Sequence, residues 1–489
     1  MSRPLFALVV AETRIALRSP LLWLLTLLTV TGRTVSTWHE MPNWSVEGVD
    51  TATSALVIGA GAMLAANLAI LRDRRADALE LTDPLPVRAQ TRTLAVLVAY
   101  PLVAMAYAAV AMGMQMAGLL INSRPVGHFD VRELPAGVLP VALMAVLGAA
   151  VGRWIPHLFA APVCILLFFW TLVQFPQSWL LPMVPYPKLA IDPVRPPAWH
   201  LLYAAALTLT VGTAALLRHG SRHPGLVLPG AGSAAAVAVA LTLTLNSPAA
   251  AAAARTEDLR QSTRSVTAGA DHCETLQTTR YCAFPSYAGW IPLWRDAVGP
   301  VVAAVPTAFR HRLPGITQRA GTGTFDPTVT SRNILTTMSW GRNGAERDSR
   351  RALAAQMVAA ATGFPRGTQR GAGPSGCDAR GRARTVVALW LIGQTEEPLP
   401  ATSTRSSVRT DSGKPTERVV PASDLGAVDY GPAELAYARR LLAQSGARER
   451  IRANWTALTA PATTLDEALP LLNLNRSAAS ETPKGTPCE

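Results

Sequence analysis

Residues 93 to 121 read TLAVLVAYPLVAMAYAAVAMGMQMAGLLI, 29 positions without one charged side chain. About 20 apolar residues in a helix are enough to cross the hydrocarbon of a bilayer. A backbone in hydrocarbon must satisfy its own polar groups, so such a run is helical. Working outward from it, six further predominantly apolar runs follow, uncharged but for Arg33 in the first: 19–37, 51–71, 135–152, 158–175, 199–217 and 225–246. Beyond Asn246 no such run recurs. The C-terminal half mixes charged, apolar and Pro/Gly stretches, and it is long enough to fold around a core of its own. The expected fold class is an all-α membrane protein, a bundle of about seven transmembrane helices followed by a mainly helical soluble domain with a small disulfide-linked hairpin. The expected divisions are 1–18 as a cytoplasmic interfacial helix, 19–246 as the transmembrane domain, and 247–489 as an extracellular domain.

The net charge of +13 and the sequence pI near 10.2 raise nucleic acid as a partner. The placement of the charge argues for membrane orientation instead, since most basic residues of the first half flank apolar spans. With the N-terminus cytoplasmic, inner segments carry Arg3, Arg14, Arg18, Arg72, Arg74, Arg75, Arg88, Arg92, Arg153, Arg218 and Arg222. Outer loops carry Arg124, Arg132, Lys188 and Arg195. That asymmetry sets a multi-pass topology in the cell membrane with the C-terminal half outside. Trp38, Trp44, Trp179 and Trp199 fall at the outer surface and Trp154 at the inner one, as interfacial aromatics do. Arg33, near the outer end of the first span, is read as snorkelling outward, with a role in a polar pathway between subunits as the alternative. Pro4 to Arg18 reads as a short interfacial helix with Leu5, Leu8 and Val9 toward lipid, or as a frayed tail. The seventh span, rich in Ala, Gly and Thr, is the weakest, and without it the soluble half would be cytoplasmic.

Cys273, Cys282, Cys377 and Cys488 all lie in the C-terminal half, an even number that suits an oxidising compartment. Cys273 and Cys282 frame Glu274–Tyr281, which suits two short strands and a turn closed by a disulfide. A metal site combining these thiols with His272 fits no common zinc spacing. Cys377 and Cys488 are candidates for a second bridge, although connectivity does not follow from sequence. Trp290, Ile291, Trp294, Val298, Val301, Val302 and Val305 recur at helical spacing and mark a helix with one buried face. Weaker stripes run through Leu353, Met357 and Ala361, through Leu435, Ala438, Leu441 and Leu442, and through Ile451, Trp455 and Leu458. Residues 401–420 hold little to bury and read as a mobile loop, and the tail from Ser477 as disordered.

Catalytic motifs do not appear. None of the three lysines sits in a phosphate-binding glycine loop, His39-Glu40 continues without a second His, and there is no Gly-x-Ser-x-Gly elbow. The expectation is a protein that is not an enzyme, with no catalytic residues, cofactor or metal. The most distinctive segment is the cytoplasmic loop 72–92, whose surroundings read LRDRRADALELTDPLPVRAQTRTLA from Leu71. An arginine cluster leaves the membrane, a short amphipathic helix carries Leu79 and Leu81, and Pro84 and Pro86 turn the chain back. Such a loop can enter a cleft on a cytoplasmic partner. Equally, the arginines can serve the positive-inside rule alone while the leucines pack on the end of the bundle.

The interfacial helix, the first hairpin and this loop together resemble the permease subunit of ABC transporters of the type 2 exporter class, in actinobacterial form, over about residues 1–220. The resemblance implies that the loop carries a coupling helix docking on a separate ATP-binding cassette ATPase subunit, with Arg74, Arg75, Leu79, Leu81, Leu85, Pro86 and Arg92 in the coupling region. It also implies a second permease copy or a sister permease as partner, alongside the lipid bilayer and without nucleic acid. The family usually has six spans and ends near the membrane, whereas this chain adds a span and a large outer domain. The segment CETLQTTRYCAFPSYAGWIPLW is similar to one in the outer domains of related permeases. The competing expectation is a membrane-anchored extracellular binding module with no transport of its own.

Overall fold

The computed structural model describes residues 3–75, 89–122, 125–127, 129–175, 180–182, 198–218, 224–248, 269–319, 328–329, 333–336, 340–341, 346–364, 377–395, 399, 425, 428–476 and 487–488. The chain divides into two compact units. The first comprises Met1–Trp38 and Pro42–Gln261, and the second His39–Met41 and Ser262–Glu489.

Within the first unit the elements are α1 (Arg3–Leu17), α2 (Pro20–Thr37), α3 (Trp44–Ser54), α4 (Leu56–Arg75), α5 (Ala89–Asn122), α6 (Glu133–Trp154), α7 (Ala160–Gln174), α8 (Ala198–Leu217) and α9 (Pro224–Leu245). Among the described residues, five stretches are long and apolar enough to cross a membrane: Trp44–Arg72, Ala89–Ile121, Glu133–Trp154, Ala198–Leu217 and Val227–Leu245. The pair α1 and α2, bent by 50°, makes a sixth if taken as one span. The sequence leads one to expect seven. The difference lies in 158–175, which forms a helix of only 15 residues, about 22 Å long at 1.5 Å per residue.

The packing of this unit is inside out relative to a water-soluble bundle. Leu24, Leu28, Leu166, Leu167 and Trp170 are all more than half exposed, while the interior is built from Ala62, Ala66, Ala99, Ala104, Ala108, Ala145 and Ala149. Large apolar groups gain nothing by leaving lipid, so small residues that let backbones approach take the interface. Gly148 shows this at the crossing of α4 and α6, where an added Cβ would collide with the Met63 carbonyl. At the same crossing the buried Asn67 amide donates to the Gly148 carbonyl at 3.3 Å. These apolar, outward-facing helices mark the chain as a membrane protein.

The expected span 51–71 starts earlier. Helix α3 is a separate piece ahead of α4, and its residues Ser45 to Val49 are buried. Asn43 caps it by accepting the Ser45 N–H at 3.0 Å, and Trp44 N–H donates to the Val126 carbonyl at 2.7 Å.

The second unit keeps mostly helices but holds more sheet than the single hairpin expected. Strands β1 (His272–Leu276), β2 (Thr279–Ala283), β3 (Gly315–Gln318), β4 (Thr328–Val329) and β5 (Asn333–Thr336) form one sheet in the order β1-β2-β3-β5-β4. The pairs β2–β3 and β3–β5 are parallel, and β1–β2 is the antiparallel hairpin. Its helices are α10 (Ile291–Ala304), α11 (Thr307–Arg310), α12 (Glu346–Thr362), α13 (Ala383–Ile392), α14 (Pro432–Ala443), α15 (Ala447–Ala453), α16 (Trp455–Thr459) and α17 (Leu465–Leu472), with a second small sheet of β6 (Cys377–Asp378) and β7 (Val428–Asp429). All ten residues of α13 are buried, and the helix packs against α12, α14, α16 and α17.

The expected stripe on α10 is buried throughout, from Trp290 to Val305, though a 3-10 turn over Pro285–Trp290 precedes the helix. Leu353, Met357, Leu435, Ala438, Leu441, Ile451, Trp455 and Leu458 are buried as well. Leu442 is not. It is 37% exposed, because the helix turns it past the face that Leu441 buries. His39–Met41 join this unit through backbone bonds, Met41 N–H to the Gly341 carbonyl at 2.8 Å and Glu346 N–H to the His39 carbonyl at 3.0 Å. The segment 401–420 and residues 477–486 lie outside the described residues, whereas Pro487 and Cys488, in the tail expected to be disordered, are held against β6 by a backbone bridge and a disulfide.

Candidate functional site

The loop 72–92 is rooted where α4 ends and α5 begins. Arg72 donates through both terminal nitrogens to the Glu12 carboxylate of α1, at 3.1 and 3.2 Å. A fork meeting a carboxylate fixes orientation as well as distance. Helix α1 is held from its other end too: the Tyr107 hydroxyl of α5 and the Trp23 indole N–H both donate to the Leu17 carbonyl, at 2.8 and 3.1 Å. The two ring systems also meet edge to face at 5.3 Å. The bend between α1 and α2 is thus pinned at both sides, and the start of the loop is tied to α1 rather than left to the membrane surface.

Arg74 and Arg75 fall in the last turn of α4 and Arg92 in the first turn of α5. Leu79, Leu81, Leu85 and Pro86 lie outside the described residues. Glu12 does not stand out by motif or spacing; its one signal is an acidic residue in an otherwise apolar helix with arginines on either side.

The opposite end of α2 carries a second polar constellation. Arg33 does not snorkel outward as expected. Its Nη2 donates to Glu47 Oε2 at 2.7 Å and to Asp50 Oδ2 at 2.9 Å, leaving the side chain 19% exposed. Glu47 is 2% exposed and Glu133, at the start of α6, 1%. Gly48 makes room for the second carboxylate, since a Cβ there would overlap Glu133 Oε2. Burying a charge is unfavourable unless partners replace its water, and the guanidinium does so for Glu47. Below this knot Gln115 of α5, 6% exposed, donates to the Thr29 carbonyl at 3.3 Å. The sequence signal is present but scattered: Glu47, Asp50 and Glu133 are isolated acids at the edges of uncharged runs, and only the fold joins them.

In the second unit both cysteine pairs are bridged, Cys273 with Cys282 and Cys377 with Cys488. The first staples β1 to β2 at directly paired positions. His272 sits beside Glu274 at 3.4 Å, and with both thiols oxidised it has no thiolate to join. The second bridge ties β6 to the chain near its end, where Pro487 also pairs with Asp378.

Across β6–β7 the register places Asp378 opposite Asp429. Burial, and then the Asp378 charge, push the Asp429 carboxyl above the usual carboxylate range, against the pull of Arg380. A folded-state value above the unfolded one means the native state holds the proton more tightly. The stability associated with it is complete at acid pH and is lost as pH rises from the ordinary carboxylate range through the raised value. Asp429→Asn is therefore expected to raise the thermal midpoint at neutral pH and to leave it unchanged below the ordinary range. A midpoint lowered equally at both would show that the carboxylate is needed for another bond.

Compared with known proteins, the chain matches no protein-family model, no curated protein and no solved structure.

Proposed function

We propose that the chain is the membrane permease subunit of an ATP-driven exporter, working with a second permease and a separate ATP-binding cassette ATPase. The observation that carries this reading is the Arg72–Glu12 fork. It couples the base of the 72–92 loop to a helix bent 50° from the first span, so a push on the loop would be passed to α1 and, through Tyr107 and Leu17, to α5. ATP-driven closure of the ATPase pair would move the bundle between two access states in this way.

The topology that goes with it has seven crossings: the five long helices, the bent α1–α2 pair, and α7. Helix α7 is short for an average bilayer, and the bilayer thins or the chain flanks adapt around such a segment at modest cost. With the N-terminus cytoplasmic, the second unit is then extracellular. Two disulfides support that compartment.

Co-purification tests the assignment. Full-length protein co-expressed with its ATPase subunit should retain the ATPase through detergent washes, and the Leu79→Asp/Leu81→Asp variant should lose it while keeping the wild-type melting profile. ATPase retained by the variant would remove the coupling role from this loop. Wild-type protein that captures no ATPase would favour the competing reading, an anchored extracellular module, for which the independently cored second unit is the supporting observation.

A further inference from the structure

Six of the seven threonines in α2 and α3 behave alike, and the seventh does not. Thr26, Thr29, Thr31, Thr34, Thr37 and Thr53 each donate their hydroxyl to the carbonyl four residues earlier. That is the usual way for a helical threonine to satisfy its O–H where water is absent. Thr51, on α3 and 1% exposed, gives up this bond, and its Oγ1 has no hydrogen-bond partner among the described residues. A buried hydroxyl left so is disfavoured by about 1–3 kcal/mol.

At about 100° per residue, Thr51 lies about 40° around α3 from Glu47, Gly48 about 100° in the same sense, and Asp50 about 60° in the other. The Arg33 guanidinium covers the Glu47–Asp50 flank. The Glu133 carboxyl presses on the opposite flank at Gly48. By this spacing Thr51 falls on the arc of α3 between Glu47 and Gly48, one turn along the helix from Glu47, and the carboxylates at the two flanks are 2% and 1% exposed. Each carboxylate offers about four acceptor positions, so ligation is compatible with the other bonds these groups make.

We propose that Thr51 Oγ1, with the carboxylates of Glu47 and Glu133, forms a binding site for one monovalent cation, either an inorganic ion or the ammonium head of a small amine. Hard oxygen ligands suit such a cation. Among the described residues no group of three or more His, Cys, Asp or Glu is arranged to hold a metal ion, which argues against a divalent or transition metal. Arg33 is shared between Glu47 and Asp50, so a further positive charge beside Glu47 and Glu133 is favoured in a low-dielectric interior. This inference does not rest on the permease reading, because the site needs neither the 72–92 loop nor an ATPase.

The test is the melting midpoint of the purified full-length protein in detergent, with sodium, potassium or methylammonium chloride replacing choline chloride at constant ionic strength and pH. Binding to the folded state raises the midpoint saturably. Wild type should show such a rise with at least one of the three cations. A response to methylammonium alone identifies an amine, and a response to sodium or potassium an inorganic ion.

Thr51→Val should shift half-saturation to about tenfold higher concentration, the equivalent of losing one ligand. Glu133→Gln should flatten the response, and Thr51→Ser, which keeps the hydroxyl, should retain it. Identical wild-type midpoints in all four salts would overturn the proposal, as would a Thr51→Val titration that matches wild type. A midpoint that follows pH but no cation would overturn it in favour of a bound proton. If Thr51→Val does not accumulate, the wild-type salt series and Glu133→Gln decide.

Discussion

Replacing Cys377 and Cys488 together with Ser is expected to destabilise the second unit by about 4–5 kcal/mol, against roughly 2.5 kcal/mol for the Cys273/Cys282 pair. The ranking comes from loop size. One bridge closes a separation of 111 residues and the other of 9, and in the chain-entropy account a cross-link restricts the unfolded chain more as its loop lengthens. Native contacts at the long bridge reinforce the order. The fully buried Arg384 donates to the Cys488 carbonyl and to that of Gly363, and its guanidinium lies 4.6 Å over the Phe364 ring. Untethering residues 487–488 would leave that charge without one of its acceptors inside a core. Denaturant unfolding of the full chain in detergent, followed by near-ultraviolet circular dichroism, reads the loss through Trp290, Trp294, Trp340 and Trp455. Equal losses for the two pairs, or a larger loss for Cys273/Cys282, would contradict the loop-size argument.

Length and polarity are what the sequence makes legible. Runs such as 93–121 and 135–152 announce helices because hydrocarbon leaves the backbone no other solution. The buried face of α10 is equally readable, since Trp290, Trp294, Val298, Val301 and Val302 repeat at the helical period. Of the two disulfides, the first is readable through its hairpin spacing, while the second is only a candidate until the fold brings Cys488 back to β6. Strands β3 and β5 are not legible. Each has only four residues, too short for alternation to stand out, and both gain their stability from partners distant in sequence.

The polar sites show the same division more sharply. Arg33 is visible as an anomaly in a span, yet its partners stand 14 and 17 positions away. An outward-snorkelling arginine and an inward-clamped one look alike until α3 is known to fold back beside α2. Glu12 and Arg72 are 60 residues apart, and nothing local links them. The missing signal is helix adjacency rather than residue chemistry. Gly48 is the nearest thing to a local clue, a small residue between Glu47 and Val49 on a helix whose interior needs space for another carboxyl.

Arg33→Met is the substitution from which the largest effect on the first unit is expected, a loss of about 3–5 kcal/mol. The guanidinium meets Glu47 at 2.7 Å, and that carboxylate is 2% exposed; a methionine of similar length keeps the packing and removes the charge. The loss then measures a buried carboxylate deprived of this cation, not the worth of an ion pair in water. Glu47→Gln on its own should be milder, because the guanidinium is 19% exposed and retains Asp50 at 2.9 Å. The double variant Arg33→Met/Glu47→Gln should recover a large part of the single Arg33→Met loss, since neither charge is then stranded. Melting of the full chain in detergent, run as a double-mutant cycle, gives a coupling energy of the size expected for residues in contact, about 0.5–3 kcal/mol. Additive losses would mean that Arg33 stabilises the bundle through Asp50 and packing alone, and that Glu47 is held by its other bonds.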